Sequence, residues 1–258
     1  MIVATWNVAS LKARLPRVTQ WLEDVKPDVL CLQETKMTDA NFPAMAFVEL
    51  GYEAAHFGQG QWNGVAIISR VGLDSVENNF ESSGKPDHEA RIITADCGGI
   101  RISSVYVPNG REVGHDHYKY KLWWLNRLTE TLQKNLKGTP TIVAGDFNIA
   151  PEDRDVWDIK EFAGATHVSD AERSALDAIK ATGLTDVFRD AHPLQDKLYT
   201  FWDFRGGDFH KGKGMRIDYL LCSPDVANRV DFTLVDRNAR KGESPSDHAP
   251  VMIGFKDA

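Results

Sequence analysis

Four short clusters of acidic and amide side chains are spread along this 258-residue sequence, and each cluster follows an apolar run. Apolar runs of this length are typical of buried strands, so the fold can bring the clusters together at neighbouring strand ends. Carboxylate and amide oxygens bind hard divalent cations, and a histidine can hydrogen-bond a reacting phosphate. The set therefore predicts a metal-assisted phosphodiesterase. The clusters are Thr5-Trp6-Asn7, Gln33-Glu34-Thr35, Gly145-Asp146-Phe147-Asn148 and Ser246-Asp247-His248-Ala249-Pro250.

The first two clusters are candidates for the metal site. Asn7 follows the apolar run 2–6, and Glu34 follows the run 29–33. If these two strands pair in parallel, the two side chains lie together. An amide oxygen beside a carboxylate suits Mg²⁺, which keeps most of its waters. Taken alone, Glu34 fits a solvated charge at a strand end better than a metal ligand.

The third cluster follows the apolar run 141–144 and is more specific. Gly, Asp and Asn all favour turns, so a plain strand-to-turn junction is the alternative interpretation. We favour the functional interpretation, in which Asp146 orients and deprotonates the attacking water. Asn148 would then donate a hydrogen bond to the phosphate or fix Asp146.

The fourth cluster places His248 beside a carboxylate, Asp247. A second acid, Asp218, stands directly before an apolar run that reads as a core strand. An unpaired carboxylate there would be costly, whereas an Asp218–His248 pair explains both residues at once. The pair would fix the histidine tautomer and favour the charged imidazolium, which can hydrogen-bond a phosphoryl oxygen. A lone structural histidine is the alternative.

Strand-like runs outnumber helical periods, and several neighbouring runs are close enough to form hairpins. This pattern predicts an α/β fold, a four-layer α/β sandwich in which two packed mixed β-sheets are flanked by helices. The predicted strands are 2–6, 29–33, 63–70, 90–96, 100–107, 141–144, 217–222, 230–235 and 250–255. The predicted helices run from Pro16 to Pro27, over 42–50, from near Asp116 to Gly138, and from the Ser169–Glu172 capping box to near Gly183.

Length and composition predict one large domain spanning residues 1–258. The hydrophobic fraction of 42% and the charged fraction of 26% are ordinary for a soluble protein, and no stretch resembles a linker. The N-terminus has no signal-like segment, and no apolar run approaches the ~20 residues of a membrane span. We therefore expect a cytoplasmic protein with no membrane partner, in which Cys31, Cys97 and Cys222 are reduced thiols.

The net charge of −7 does not by itself indicate a nucleic-acid-binding protein. However, a carboxylate-rich metal site contributes several negative charges, and binding depends on local rather than net charge. Three groups of basic residues are candidate binding surfaces, although each is equally consistent with a solvated polar face. They are Lys12, Arg14 and Arg17; Lys211, Lys213 and Arg216; and Arg237, Arg240 and Lys241.

At these motifs the sequence resembles the exonuclease III family of the endonuclease/exonuclease/phosphatase superfamily, the apurinic/apyrimidinic endonucleases of base-excision repair. The resemblance covers nearly the whole chain. The matching segments are Trp6-Asn7, 27–36, Asn63-Gly64-Val65, 106–109, 145–148, Thr200-Phe201-Trp202, 215–219 and 246–250. One departure is the turn after Asn7, where family members commonly carry Asn or Asp and Ala9 cannot supply a supporting polar side chain.

The resemblance implies a Mg²⁺-dependent hydrolase, with Mn²⁺ as an alternative cofactor, that cuts duplex DNA on the 5′ side of an abasic site. It also implies 3′→5′ exonuclease and 3′-phosphatase activities, and therefore blocked 3′ ends as substrates. Glu34 would bind the metal beside Asn7, with Asp247 completing the site. Tyr106 and His248 would stabilise the charged pentacoordinate phosphorus. We expect a monomer that associates with the bacterial nucleoid through DNA.

The resemblance also implies a set of DNA-binding residues. Phe201, Met215 and Ile217 match the apolar pocket for a flipped-out abasic sugar, with plain core packing as the alternative interpretation. Other positions match backbone contacts, groove-entering loops or the shared segments: Trp62, Asn63, Arg91, Asn109, Arg111, Trp202 and Arg205. Phosphate contacts of this kind position a duplex without reading its sequence.

Two other functions are consistent with parts of the pattern. A phosphatase of the same superfamily, acting on phosphoinositides, sphingomyelin or RNA tails, would share the acidic clusters. It is not expected to keep the pocket formed by Phe201, Met215 and Ile217. A DNA-damage-binding module without catalysis would be expected to lack part of the acid set, which is complete in this sequence.

Overall fold

The computed structural model describes residues 1–80, 87–136 and 138–256, and these residues form two six-stranded mixed sheets. The first sheet contains, in spatial order, β11 (Val230–Val235), β12 (Val251–Phe255), β1 (Ile2–Asn7), β2 (Val29–Gln33), β4 (Val65–Ser69) and β3 (Glu53–Phe57). The second contains β5 (Asp74–Asn78), β6 (Ile92–Cys97), β7 (Ile100–Tyr106), β8 (Thr141–Asp146), β10 (Asp218–Cys222) and β9 (Thr185–Asp186).

Each sheet has one parallel pair of strands among antiparallel neighbours. In the first sheet β1 runs parallel to β2, and in the second β7 runs parallel to β8. The carboxyl ends of parallel strands lie at the same edge of a sheet, so each pair delivers the residues that follow it to one place.

The two sheets pack face to face because each contributes alternate apolar side chains to a shared core. Val3, Cys31 and Ile67 enter this core from the first sheet, and Ile102 and Ala144 enter it from the second. All five residues are fully buried. This core fixes the relative position of the two parallel strand pairs.

Helices cover the outer faces of both sheets. Val18 and Leu22 of the first helix pack with Leu30 of β2, and Leu125 of the third helix packs with Val143 of β8. The predicted four-layer α/β sandwich is therefore confirmed. The helices are α1 (Leu11–Val25), α2 (Ala44–Val48), α3 (Asp116–Asn135), α4 (Asp170–Lys180), α5 (Val187–Ala191), α6 (Asp208–Lys211) and α7 (Pro224–Ala227).

Helix starts agree with the sequence prediction at α3 and α4 but not at α1. His115 caps α3, and the Ser169–Glu172 capping box begins α4, as expected. However, α1 begins at Leu11, so Pro16 lies in its second turn rather than at its start. Proline has no N–H, and α1 therefore lacks one i→i−4 hydrogen bond at this position.

Three edge strands, β3, β5 and β9, are absent from the sequence prediction. Most of their residues are exposed or only partly buried, so they lack the apolar run that indicates a core strand. Among the described residues, none of the helices combines the length and the apolarity that crossing a bilayer requires.

Candidate active site

The parallel strand pairs of the two sheets end at the same place. In the first sheet Asn7 lies opposite Gln33, at the carboxyl ends of β1 and β2. In the second sheet Tyr106 lies opposite Asp146 at the ends of β7 and β8, and Asp218 of β10 pairs with Asp146 from the other side. A side-chain hydrogen bond between Asn7 and Asp146 joins the two sheets at this edge.

Asn7 bridges two carboxylates through its amide nitrogen. Nδ2 donates to Glu34 Oε1 at 2.8 Å and to Asp146 Oδ2 at 2.9 Å. Its Oδ1 accepts from the backbone N–H of Ala9 at 3.0 Å. Because both carboxylates are acceptors, only the amide nitrogen can face them. The amide oxygen expected to face a cation is thus turned away, and the Ala9 backbone supplies the support that its side chain cannot.

The turn that carries Glu34 has an unusual backbone. Glu34 and Lys36 both have φ of 53°, a conformation that costs about 1–3 kcal/mol for a residue with a side chain. Backbone bonds hold the turn, including Ser10 N–H to Glu34 O at 2.8 Å and Lys36 N–H to Asn63 O at 2.9 Å. The resulting geometry places Lys36 Nζ 2.7 Å from Glu34 Oε2. Burial opposes ionisation, but the Lys36 ammonium holds the pKa of Glu34 below its ordinary value.

His248 is held as a cation by buried carboxylates. Its Nδ1 lies 2.9 Å and 3.1 Å from the two oxygens of Asp218, and its Nε2 lies 3.7 Å from Asp146 Oδ2. Thr200 Oγ1 donates to Asp218 Oδ2 at 2.6 Å and fixes that carboxylate. Burial would lower the pKa of His248, but Asp218 and then Asp146 outweigh it and raise the pKa to about 10. The ring is therefore an imidazolium at neutral pH, with Nε2–H turned towards Asp146.

Asp146 is buried and fixed at both oxygens. Oδ2 accepts from Asn7, and Oδ1 accepts from the backbone N–H of Asn148 at 2.9 Å. Burial raises the pKa of Asp146 to about 7, although the His248 charge opposes this rise. The side-chain amide of Asn148 donates to Val107 O at 3.0 Å, so its contribution to Asp146 comes from the backbone.

Tyr106 and Asp247 complete the polar edge. Burial, and then the Glu34 charge, raise the pKa of Tyr106 well above its ordinary value, and the Tyr106 hydroxyl hydrogen-bonds Glu34. The guanidinium of Arg91 lies 4.8 Å from the centre of the Tyr106 ring. Burial also raises the pKa of Asp247; the His248 charge opposes this rise and the Glu34 charge adds to it. The negative charge of Glu34 therefore raises the pKa of both groups.

The acid set fits a divalent cation. Four carboxylates face three cations here, which leaves an excess of negative charge when all are ionised. The carboxylates are Glu34, Asp146, Asp218 and Asp247, and the cations are Lys36, His248 and Arg240. Ligand atoms of Asp146, Asp218 and His248 lie within 4.8 Å of one another. His248 and Asp218 bind each other, and the Glu34 and Asp247 carboxylates add further oxygen donors of the kind that divalent cations prefer.

Comparison with known proteins identifies the family. The sequence model described as the Endonuclease/Exonuclease/phosphatase family matches residues 4–248. The chain belongs to this family. Exodeoxyribonuclease III of Haemophilus influenzae is 30% identical over 264 residues, which cover 98% of both proteins. An AP endonuclease structure from Archaeoglobus fulgidus is 36% identical with a TM-score of 0.96, and a Neisseria 3′ phosphatase bound to a product DNA hairpin is 38% identical with a TM-score of 0.96. Each of these two covers 100% of both chains.

The family resemblance expected from the motifs is confirmed, and the residues matched to DNA contacts can be compared with their exposure. Trp62 is 65% exposed, and Asn109, Arg111 and Arg205 are also exposed. Asn109 Oδ1 accepts from the Arg111 N–H at 3.1 Å, and Asn109 Nδ2 reaches Asn148 Oδ1 at 3.3 Å. These four side chains are accessible to a nucleic acid.

Three other residues matched to DNA contacts are buried, and their contact with DNA stays a prediction. Trp202 is 1% exposed and packs with Tyr199. Arg91 is 4% exposed and donates to the Tyr106 carbonyl at 3.1 Å. Asn63 is 8% exposed and accepts the Lys36 N–H through its backbone. In the structure these three residues contact neighbouring protein groups.

The three residues matched to the abasic-sugar pocket lie together beside His248. Phe201 pairs with Met215 and with His248 through isolated antiparallel bridges, and the Phe201 ring centre lies 4.9 Å from that of His248. Met215 is 7% exposed and Ile217 is 2% exposed, both within an apolar cluster that includes Val156. Only Phe201 presents a partly exposed face, so the other two contribute mainly core packing.

Sequence reasoning missed a buried ion pair behind Asn148. Lys121 and Glu172 are both fully buried and lie at ion-pair distance, 2.5 Å. Lys121 Nζ also donates to the Asn148 carbonyl at 2.6 Å, and His167 Nδ1 contacts the same carbonyl at 2.6 Å. One signal was present, since Lys121 lies three residues after Tyr118 on the apolar stripe of α3, where a solvated lysine is unexpected.

Proposed function

We propose that this nuclease is a metal-dependent enzyme of DNA repair that cleaves the phosphodiester 5′ of an abasic site in duplex DNA. Two further activities, 3′→5′ exonuclease and 3′-phosphatase, use the same residues on terminal phosphates. The observation that carries the proposal is the Asn7 bridge, which joins Glu34 of one sheet to Asp146 of the other beside the His248 imidazolium. We also propose that the protein acts as a monomer, since the proposed catalytic set needs no residue from a partner subunit.

Asp146 is the general base in this proposal. Asn7 and the Asn148 N–H bind its two oxygens and aim the carboxylate. A carboxylate with a pKa raised to about 7 is a better proton acceptor than an ordinary one, and it remains largely ionised above neutral pH. Asp146 takes the proton of the attacking water as the new P–O bond forms.

His248 and Tyr106 stabilise the negative charge that develops on the phosphoryl oxygens. His248 remains protonated because Asp218 holds its Nδ1–H, which leaves Nε2–H as the donor. Tyr106 keeps its hydroxyl proton because burial and Glu34 raise its pKa. Glu34 and Asp247 would hold Mg²⁺, or Mn²⁺ in its place, and the bound cation would supply Lewis-acid stabilisation of the reacting phosphate.

The exposed residues around this edge suit a phosphate backbone. Arg111 and Arg205 contribute positive charge, and Trp62 and Asn109 offer an aromatic face and an amide. Such contacts bind DNA without reading its sequence, as an enzyme acting at damaged positions requires. Phe201, with Met215 and Ile217 behind it, would contact the sugar where the base is missing.

Processing of blocked 3′ ends, without incision at abasic sites, is the second candidate function. Met215 and Ile217 are almost completely buried, so little of the proposed sugar pocket is open. A terminal phosphate needs no such pocket. The Neisseria relative is described as a 3′ phosphatase, which supports this alternative, whereas the Archaeoglobus relative is described as an AP endonuclease.

Cleavage of three DNA duplexes tests both candidates. The substrates carry an internal abasic site, a recessed 3′-phosphate or an undamaged recessed 3′ end, and each is incubated with Mg²⁺ or with a chelator. A panel of phosphoinositides tests whether the protein is instead a phosphatase of the same superfamily that acts on lipid headgroups. The proposal predicts Mg²⁺-dependent incision of the abasic duplex; activity on the 3′-phosphate alone would establish the second candidate instead.

Two variants test the assigned roles. Glu34→Gln should lose most Mg²⁺-supported cleavage while DNA binding survives, because the substitution removes a metal ligand and leaves the exposed DNA-facing side chains unchanged. Asp146→Asn should bind abasic DNA but not cut it. Unchanged turnover in Glu34→Gln would contradict the metal assignment, and unchanged turnover in Asp146→Asn would contradict the base assignment.

A further inference from the structure

The turn that carries Glu34 is contacted by a side chain from β3 that the proposed mechanism does not use. Thr35 Oγ1 lies 2.8 Å from His56 Nε2. On the other side of the ring, His56 Nδ1 lies 2.7 Å from Asp39 Oδ1. The Asp39 carboxylate lies at ion-pair distance from Nδ1 but outside hydrogen-bond geometry. Its charge still favours the proton on Nδ1, so Nε2 accepts the hydrogen bond from the Thr35 hydroxyl. The three side chains therefore form one directed chain of contacts.

This arrangement resembles a nucleophile activated by histidine and aspartate, but burial excludes that chemistry. Thr35 is completely buried, and the His56 side chain is 3% exposed. A hydroxyl that no substrate can reach cannot act as a nucleophile. The contacts must therefore act on the backbone that carries Thr35.

The surrounding residues pack closely around the Thr35 and His56 side chains. The His56 ring stacks on Phe42, with 4.3 Å between ring centres and 12° between planes. A Cβ at Gly64 would overlap Thr35 Oγ1, and a Cβ at Gly58 would overlap the His56 ring. Glycine at both positions is therefore needed for the threonine and histidine to meet.

Thr35 is the central residue of a turn whose two neighbours have positive φ. Glu34 and Lys36 both adopt φ of 53°, so the turn has competing conformations of lower backbone energy. A side-chain anchor at Thr35 limits rotation of the peptide groups on either side. We propose that Thr35, His56 and Asp39 form a positioning relay that orients the Glu34 carboxylate for cation binding. This inference depends on the proposed function in one respect, that Glu34 is a metal ligand.

Equilibrium Mn²⁺ binding to the whole protein without DNA tests the relay. The free-Mn²⁺ signal is followed by electron paramagnetic resonance as Mn²⁺ is added to chelator-treated protein. Thr35→Val removes the hydroxyl at nearly constant volume, whereas Thr35→Ser keeps the hydroxyl and removes only the methyl group. Asp39→Asn changes a side chain that is 57% exposed, so it should fold normally. Tyr52→Phe is the matched control, because it removes a buried hydrogen bond to Pro27 elsewhere in the protein.

We expect Thr35→Val to weaken Mn²⁺ binding about 10-fold, as is usual when an outer partner of a metal ligand is removed. Asp39→Asn should weaken it about threefold or more, while Thr35→Ser and Tyr52→Phe stay within about twofold of the parent. Affinity for an abasic duplex in chelator should be unchanged in all four variants.

Parent-like Mn²⁺ binding by folded Thr35→Val would overturn the relay. If Thr35→Val fails to fold, parent-like binding by Asp39→Asn overturns it instead. Glu34→Gln separates this inference from the proposed function. If that variant binds Mn²⁺ like the parent, the metal assignment itself is wrong; if it loses Mn²⁺ while the relay variants do not, only the relay is wrong.

Discussion

Replacing Asn7 by Asp tests which atom of this side chain faces the two carboxylates. In the structure the amide nitrogen lies 2.8 Å from Glu34 Oε1 and 2.9 Å from Asp146 Oδ2. Asn7→Asp would place a third carboxylate at these distances. If the amide oxygen faced a cation instead, the same substitution would supply a charged ligand and would be tolerated.

The expected loss of stability follows from these contacts. Both Asn7→Ala and Asn7→Asp remove two hydrogen bonds to ionised acceptors, each worth about 1.5–3 kcal/mol. Asn7→Asp adds two like-charge contacts at about 3 Å, each worth up to ~5 kcal/mol at an effective dielectric constant of about 20. Uptake of a proton relieves part of this repulsion. We therefore expect the free energy of unfolding to fall by about 3–6 kcal/mol for Asn7→Ala, and further for Asn7→Asp.

Urea denaturation in chelator measures both variants without any contribution from bound metal. A second titration with Mg²⁺ tests whether a cation restores the stability of Asn7→Asp, as the amide-oxygen alternative requires. At about pH 8 the carboxylates are ionised, and Asn7→Asp should be less stable than Asn7→Ala. At about pH 5 protonation relieves the repulsion, and the difference between the two variants should narrow. Parent-like stability of Asn7→Asp at the higher pH would refute the amide-nitrogen bridge.

Three further predictions concern the charges behind the site. Asp218→Asn should return the pKa of His248 from about 10 towards or below 6.5. Cleavage by the variant should therefore fall as pH rises above about 6.5, while the parent keeps its activity. Identical pH–rate profiles for the variant and the parent would contradict this. Burial lowers the pKa of His167 to about 4, so the unfolded chain takes up a proton between about pH 6.5 and 4 that the native protein does not. The free energy of unfolding should therefore fall by up to about 3 kcal/mol as the pH is lowered through that window. Urea titrations at several pH values should show that His167→Asn removes this loss. Lys121→Met leaves Glu172 buried without its cation and should cost about 3–5 kcal/mol in the same titrations; Lys121→Met with Glu172→Gln should recover part of that loss.

The sequence was sufficient to predict which polar residues meet, because the relevant strands carry strong signals. The apolar runs that precede Asn7, Glu34 and Asp146 are buried strands. The first two side chains were expected to meet if their strands pair in parallel, and the structure shows this pairing. The Asp218–His248 pair was also expected, since a carboxylate beginning a core strand requires a partner. The structure shows these contacts directly.

The sequence was insufficient where one residue type serves two purposes. An aromatic or basic side chain near the site can contact DNA or support the core, and neither choice changes the local pattern. Trp202 and Arg91 are buried, whereas Trp62 and Arg205 are exposed. The orientation of Asn7 was equally unpredictable, because it is set by acceptors on two different sheets.

Anomalous scattering from crystals grown with Mn²⁺ tests most directly whether these residues surround one cation. The account predicts a single strong peak about 2.0–2.3 Å from a carboxylate oxygen of Glu34, with Asp247 beside it and the His248–Asp218 contact intact. A peak coordinated by Asp146, Asp218 and His248, with Glu34 still bound to Lys36, Asn7 and Tyr106 and not to the cation, would contradict it.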